Sequence, residues 1–471
     1  MKKMKFTWIL FVSATFLILQ SCATEEFESE VLEKDLEIED TDDKRPEVSR
    51  SNSNLIIEWS DMLLELDRQA TGMRPNATAR ALAYIHLATY ETVVVNMNGY
   101  TSNSARLDGL TINRAPRNID PLIALNACYA RVLDHFIYNV PENSSRAIRG
   151  LEVRKERELS SRLSRRLVQD SKRWGQYIAS TIIDYSKTDI AAEEQILAPQ
   201  PTSYEPPVGA GFWTYSAAQE RALFPYWSEV RTFVISPEET TSVPPVDQYS
   251  AAPESGYYQQ MLEVYDVSTK AAAENNDDLW IAEFWSDDVE GLMMSPPGRQ
   301  ISIASQIIDE YNLDLQESLV LLLKLGFSLN DAAVSTWDDK YKYMVMRPNV
   351  YIQEYINADY QTNLFKFIYW PNPSFPGYPS GHSSFASAAA GLFIDLVGDA
   401  TDFTDNSHKG TTEFLGTPRQ FASFSEMAEE NAFSRIPLGV HIRMDCTEGL
   451  RLGYEISNAV NALNLSDNNS L

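Results

Sequence analysis

The stretch from Trp337 to Asp445 constrains this chain more than any other. Three motifs stand in it in order: Lys340-x6-Arg347-Pro348, then Pro379-Ser380-Gly381-His382, then Ser434-Arg435-x5-His441. Lys340, Arg347 and Arg435 supply three positive charges. Two of them are guanidinium forks, which match oxygen pairs bidentately. His382 and His441 can move protons or ligate a metal. Ser380 and Gly381 precede a run of helix formers, His382 to Ala390, and the unpaired N–H groups at a helix start attract anions. Together these residues are what a tetrahedral oxyanion site needs.

Composition sharpens the contrast. The chain carries 39 Lys+Arg against 66 Asp+Glu, a formal net charge of −27. So acidic a chain repels nucleic acid, anionic membrane surfaces and free anions. Several cations gathered in one stretch therefore point to a local function. There is no internal repeat, no basic nucleic-acid stripe, no phosphate-binding Gly-rich loop and no Gly-x-Ser-x-Gly elbow.

The 471 residues can bury a large core and are expected to form two lobes. Residues 1–21 read as a secretory signal: Met1-Lys2-Lys3-Met4-Lys5, an apolar run from Phe6 to Leu19, then Leu19-Gln20-Ser21-Cys22. The apolar run is shorter than the ~20 residues that span a bilayer. Cys22 after Ser21 resembles the acylated cysteine of a bacterial lipoprotein, although Gln20 departs from the usual small or apolar residue. Residues 22–50 are acidic and poor in apolar side chains, as a solvated tether would be. The expected localisation is export with a lipid anchor, at the outer membrane or cell surface. Cys128 and Cys446 could bridge in an oxidising compartment; the expectation is two small buried apolar residues.

From Asn54 the apolar spacing becomes helical. Helices are expected from Ala77 to Met97, Pro121 to Tyr138 and Glu152 to Tyr185. Pro- and Gly-rich stretches at 198–213 and 242–245 punctuate an irregular span. Its Trp213, Phe224, Tyr226, Trp227 and Phe233 suggest an ordered crossover. The division is thus 51–245 and 246–471. The second part predicts helices from Tyr257 to Val267, Asp277 to Asp287, Gly298 to Tyr311, Leu315 to Asp338, Asn357 to Trp370, His382 to Val397, Phe421 to Phe433 and Asp445 to Leu463. Asp314 with Glu317 suits a reciprocal N-cap. His86 and His135 read as packing residues satisfied in the core, and His408, flanked by Asn406, Ser407 and Lys409, as a surface loop residue. Lys340 taken alone, in Asp338–Lys342, reads as part of a solvated charged turn; it alone has the six-residue gap to Arg347.

The ordered trio of motifs resembles the vanadium-dependent haloperoxidase and type 2 phosphatidic-acid-phosphatase superfamily, over Asp277 to Glu448. The run Arg80 to Glu91 resembles the haloperoxidase branch, as does Trp337, three residues before Lys340. The resemblance implies an all-α fold of two helical bundles, with vanadate held in the C-terminal one. It implies that Lys340, Arg347 and Arg435 contact vanadate oxygens and that Ser380 and Gly381 add hydrogen bonds. By the same resemblance His441 is the ligand to vanadium and His382 the acid–base residue. Asp288 would pair with Arg435, and Asp445, four residues after His441, would orient its ring. The implied reaction oxidises a halide with hydrogen peroxide to hypohalous acid. Vanadium acts as a Lewis acid, and Lys340 polarises the peroxide so that a halide can attack oxygen.

Two other functions fit parts of the pattern. A phosphatase would use His441 as nucleophile, through a phosphohistidine, with His382 protonating the leaving group. Its known forms are much shorter or multi-spanning, which favours the peroxidase. A non-catalytic lipoprotein would be expected to have lost some site residues, and all seven are present. Phe375, seven residues before His382, stands where algal bromoperoxidases tend to carry His and the chloroperoxidase branch Phe. Bacterial iodide-selective members resemble this chain more in secretion and N-terminal half. The expected order is iodide first, bromide second and chloride poorly. No nucleic-acid partner is expected, and contact with a membrane only through the anchor.

The anchor can be tested by itself. Cys22→Ser should release or misprocess the protein. Unchanged membrane fractionation, with an intact mass lacking lipid, rejects the assignment.

Overall fold

The computed structural model describes residues 45–366 and 372–466. The signal, Cys22 and most of the acidic tether lie outside the described residues. So does part of the helix expected over 357–370.

Caps and apolar spacing decide where the helices stand. α1 (Arg45–Gln69) buries Ile56, Trp59 and Leu63 at helical spacing. Every residue of α2 (Asn76–Val93) is buried. α3 (Pro121–Phe136) opens on Asp120, whose carboxylate accepts from the N–H groups of Leu122 and Ile123, with Pro121 in the first turn. Trp59 Nε1 donates to Asn126 Oδ1 of α3 at 3.1 Å. The long helix expected over 152–185 is two: α4 (Ser144–Ser160) and α5 (Arg165–Ser186). The break comes at Ser164, whose hydroxyl accepts from Leu167 N–H at 3.2 Å and starts α5 afresh. α6 (Ile190–Leu197) follows.

Residues 198–255 contain only a 3-10 turn, Trp227–Glu229. In this crossover Trp213, Phe224, Trp227 and Phe233 are buried, while Tyr226 is 39% exposed. After it come α7 (Gly256–Glu274), α8 (Asp277–Phe284), α9 (Pro296–Glu310) and α10 (Leu315–Tyr343). Asp314 and Glu317 form the expected reciprocal cap of α10. The helix expected over 357–370 is absent from its described part. The chain instead forms α11 (Pro348–Tyr355) and a 3-10 turn, Asn363–Lys366, because Pro348 suits a first helical position. α12 (Gly381–Val397), α13 (Phe424–Phe433), α14 (Arg435–Leu438) and α15 (Arg443–Asn461) complete the helices. The strands among the described residues are one short antiparallel pair, β1 (Phe403–Asp405) and β2 (Arg419–Phe421).

The fold is all-α, with one bundle around α3, packed on α2, α4 and α5, and a second around α12, packed on α15, α13 and α10. α10 also packs on α2. Small residues allow these approaches. A Cβ on Gly326 of α10 would lie 3.0 Å from Ala83 Cα of α2, and one on Gly449 of α15 would lie 2.5 Å from the Ser380 carbonyl oxygen. One buried apolar cluster therefore runs from Leu55 to Leu465. α10 is long and apolar enough to cross a bilayer, yet it is a mostly buried core helix.

α10 also fastens the crossover. Its Asp331 carboxylate accepts from the N–H groups of Phe233 (2.8 Å), Val234 (2.8 Å) and Ile235 (3.1 Å). Near its C-terminus Asp339 accepts from Ser242 N–H and Thr241 Oγ1, each at 2.6 Å. Trp337 Nε1 and Tyr341 OH both donate to the Leu223 carbonyl. The end of α10, where Lys340 stands, is thus held from both sides.

Candidate active site

Lys340 lies in the last turn of α10 and is completely buried. This overturns the solvated-turn reading of Asp338–Lys342: the helix runs on to Tyr343, and Lys342 is the residue facing water. Lys340 Nζ donates to the carbonyl oxygens of Pro376 (3.1 Å), Gly377 (3.0 Å) and Pro379, in the loop before α12. The same ammonium lies 5.2 Å from the Phe375 ring centre and 5.6 Å from that of Trp337. Burial, reinforced by the neighbouring Arg347, pulls its pKa well below the ordinary lysine value.

Met344 ends α10 in the left-handed conformation, and Arg347 follows as the N-cap of α11. The Arg347 guanidinium donates through Nε to the Phe375 carbonyl (2.9 Å) and through Nη1 to the Val440 carbonyl (2.8 Å). Nη1 also lies 3.0 Å from His441 Nε2. Its Nη2 is buried and has no hydrogen-bond partner. Such a group costs about 1–3 kcal/mol, and more when charged, unless something accepts from it.

Ser380 caps α12, its hydroxyl accepting from Ser383 N–H at 3.4 Å. Gly381 faces the Trp337 ring, where an added Cβ would sit 3.4 Å from Trp337 Cζ3. His382 then points at Arg435 of α14. Its Nε2 is 3.0 Å from Arg435 Nη1 and 3.1 Å from the Ser286 carbonyl. One nitrogen cannot serve both at once. Without a proton, Nε2 accepts from Arg435; with one, it donates to Ser286. Arg435 is further held by the Trp285 carbonyl through Nη2, by Ser434 Oγ (3.0 Å) and by Asp288 Oδ2 (3.5 Å). Asp288 Oδ2 is also 3.8 Å from His382 Nε2.

α14 ends at Gly439, whose φ of 89° suits glycine and turns the chain so that His441 faces back. His441 Nδ1 lies 3.0 Å from Asp445 Oδ2, in the first turn of α15. Asp445 therefore holds the Nδ1–H tautomer and leaves the Nε2 lone pair directed at Arg347. Burial and nearby cations keep both site histidines far below the usual imidazole range: Arg347 and Lys340 act on His441, Arg435 on His382. Both rings are neutral at neutral pH. Burial raises the two carboxyls, Asp445 against the pull of Lys340, and Asp288 to about 6 against that of Arg435.

The structure thus brings together Lys340, Arg347, Ser380, Gly381, His382, Arg435 and His441. Trp337, Phe375, Asp288 and Asp445 surround them. Three buried cations and an unpartnered guanidinium nitrogen face two neutral imidazoles. This donor set fits a tetrahedral oxyanion, vanadate included, with the His441 Nε2 lone pair, here directed at Arg347 Nη1, beside it.

The family model described as VCPO second helical-bundle domain matches residues 320–466, which hold all seven cradle residues. A solved structure described as the first bacterial vanadium-dependent iodoperoxidase is 26% identical, with a TM-score of 0.76 over 88% of this chain and 98% of that one. Residues 320–466 thus carry this helical-bundle domain, and the fold is that of the bacterial vanadium-dependent haloperoxidase structures. Two bacterial vanadium-dependent chloroperoxidase structures share the haloperoxidase fold: the holo form at 15% identity and TM-score 0.64 (84% of this chain, 94% of that), the apo form at 16% and 0.62 (82% and 93%). A search of curated protein sequences finds no match.

Three histidines and the cysteines complete the comparison with sequence. His408 is not a surface residue: it is 3% exposed, with Nε2 3.4 Å from Asp287 Oδ1 and 3.1 Å from the Phe284 carbonyl. Ser407 beside it also bonds inward, accepting from Ser302 Oγ, while Lys409 is exposed. His86 is buried as expected, yet its ring nitrogens have no hydrogen-bond partner, and burial lowers its pKa to about 3. His135 is exposed rather than in the core, and packs edge-on to Phe136. Cys128 and Cys446 are free and buried. What sequence reasoning missed is the pair of carbonyls on Trp285 and Ser286. Only Asp288 in that segment carried a signal.

Asp288 gives the site a pH dependence with a definite sign. Its folded pKa of about 6 lies above the ordinary 3.8. As pH rises from about 4 through 6, the unfolded chain loses this proton first, so the group destabilises the anion-free fold over that window. In the other direction, protonation near pH 6 leaves the charge of Arg435 less balanced. Sulfate keeps a constant charge here, so it should bind more tightly as pH falls from about 7.5 to 5. Isothermal titration would measure it, and Asp288→Asn should flatten the profile. A flat wild-type profile contradicts the assignment.

Proposed function

We propose that this protein is a vanadate-dependent haloperoxidase that oxidises iodide, and bromide less readily, with hydrogen peroxide. The observation that carries this reading is the cradle itself: the buried Arg347 Nη2 without an acceptor, beside a neutral His441 whose Nε2 lone pair faces the same space. The similarity to a bacterial iodoperoxidase supports iodide.

In this reading Arg347 and Arg435 would hold the oxyanion by charge and hydrogen bonds and Lys340, whose three N–H groups are directed at carbonyls, by charge, with Ser380 Oγ and Gly381 N–H as further donors. His441 Nε2 is the protein ligand to vanadium, and Asp445 keeps its proton on Nδ1. Vanadate, when bound, supplies Lewis acidity toward peroxide. His382 moves protons at Nε2: Arg435 supports the unprotonated form, and Ser286 receives the N–H of the other. Lys340 sits where a positive charge favours negative charge developing on oxygen. Approach is from the side of His382 and Asp288, whose side chains are 12% and 27% exposed, against 4% for His441. Phe375, tilted against Trp337 at 4.8 Å between ring centres, offers no hydrogen bond to the reacting oxygens. Export and a lipid on Cys22 belong to the same proposal and rest on the N-terminal sequence.

Vanadate added to the vanadium-free protein should restore turnover in the order iodide, bromide, chloride, with little hydrolysis of a phosphate monoester. His441→Ala should lose vanadium on gel filtration, while His382→Ala keeps it and loses most turnover. Chloride turnover equal to iodide overturns the halide order. Equal vanadium content in His441→Ala and wild type sinks the ligand assignment, and phosphate-ester turnover without halide oxidation replaces the peroxidase by a phosphatase.

A further inference from the structure

Behind the site lies a second polar cluster that the proposed chemistry does not use. Arg299 of α9 is fully buried. Its Nε and Nη2 donate to Asp405 Oδ2 of β1 at 3.0 and 2.8 Å. Its Nη1 donates to the Phe284 carbonyl (3.3 Å) and to Asp287 Oδ1 (3.4 Å), and touches His408 Nε2. The guanidinium also lies over the rings of Phe284 (4.4 Å) and Trp285 (4.6 Å). From the opposite bundle, Arg74 Nη1 donates to the Asp287 carbonyl at 3.4 Å.

The contacts to Phe284, Trp285 and Asp287 grip one segment, Phe284 to Asp287. Its other acceptors, on the far side of the same few residues, face the site. The Trp285 carbonyl takes Arg435 Nη2, the Ser286 carbonyl lies against His382 Nε2, and Asp288 Oδ2 faces both residues. Asp287 stands between the two sets with φ at 48°, a conformation that Asp and Asn tolerate better than most side chains. The turn directs residue 287 back to Arg299 and residue 288 forward to Arg435.

We propose that Arg299 is a positioning residue: through Asp287 and the Phe284 carbonyl it fixes the segment that orients Arg435 and His382. Asp405 and His408 complete its seat. Lys340, Arg347 and His441 are held from other elements, so the effect falls on one half of the cradle. The inference rests on the proposed function for its catalytic consequence, and on the anion cradle alone for its binding consequence.

The test compares Arg299→Lys, Arg299→Met and Asp287→Asn with wild type. Lys keeps the charge but not the fork. Asn keeps the left-handed turn and loses the charge that faces Arg299. Melting is followed by circular dichroism, vanadate affinity by equilibrium dialysis, and kcat and KM at saturating vanadate. Folded Arg299→Lys and Asp287→Asn should bind vanadate several-fold more weakly and lose about tenfold to a hundredfold in kcat, with a smaller change in KM for peroxide. Arg299→Met should be worse than Arg299→Lys; if it does not fold, Asp287→Asn decides. Folded variants with wild-type vanadate affinity and kcat overturn the proposal, whatever their melting temperature. If wild type oxidises no halide, the peroxidase reading fails, while the affinity comparison still decides the role of Arg299.

Discussion

Three positive charges buried side by side are the condition on which this structure turns. Lys340, Arg347 and Arg435 are each at most 1% exposed. Removing such ions from water costs several kcal/mol apiece unless partners replace the lost hydration. The protein replaces it mainly with carbonyl dipoles: Pro376, Gly377 and Pro379 for Lys340, Phe375 and Val440 for Arg347, Trp285 for Arg435. Two carboxyls stand near, Asp445 and Asp288, and burial pushes both toward their neutral forms. The balance stays positive, which suits an oxyanion.

That condition explains the scaffold. Carbonyl dipoles work only if the loops carrying them cannot move, and each loop is tied to a rigid element. α10 carries Lys340 and is locked between α2 and α12. Gly449 lets α15 approach the Ser380 carbonyl closely, which brings Asp445 up to the start of α12, where Ser380 N–H donates to the Asp445 carbonyl at 2.9 Å. The crossover, irregular as it is, is held to α10 by Asp331 and Asp339. Stability and site geometry therefore share the same contacts, and a change at the α10–α2 seam should be felt at the anion.

The motif spacings carried most of this site, because each motif sits at a helix boundary whose capping chemistry is local. Ser380 before a helix-forming run, and Asp314 with Glu317, are such cases. Other features were hidden for physical reasons. The apolar stripe of residues 152–185 continues in phase through Ser164, so periodicity alone joined two helices that a serine cap separates. Pro348 reads as a helix start only when Arg347 is taken as its N-cap as well as a candidate anion ligand. His408 looked exposed because Asn406, Ser407 and Lys409 are polar, yet its partner Arg299 lies more than a hundred residues earlier in the chain. No local pattern encodes a contact of that range. The carbonyls of Trp285 and Ser286 were invisible for another reason: any residue type supplies a carbonyl.

The most direct test of the account is thermal unfolding of the vanadium-free protein as vanadate is added, with perchlorate at equal ionic strength as control. A ligand that binds only the folded state adds about 2.7 kcal/mol at a hundred times its dissociation constant. The melting temperature should climb steadily with vanadate and far less with perchlorate, which cannot offer His441 a coordination site. No response to either anion would contradict the claim that these buried charges are arranged around a tetrahedral oxyanion, and an equal response to the two would contradict the part assigned to His441.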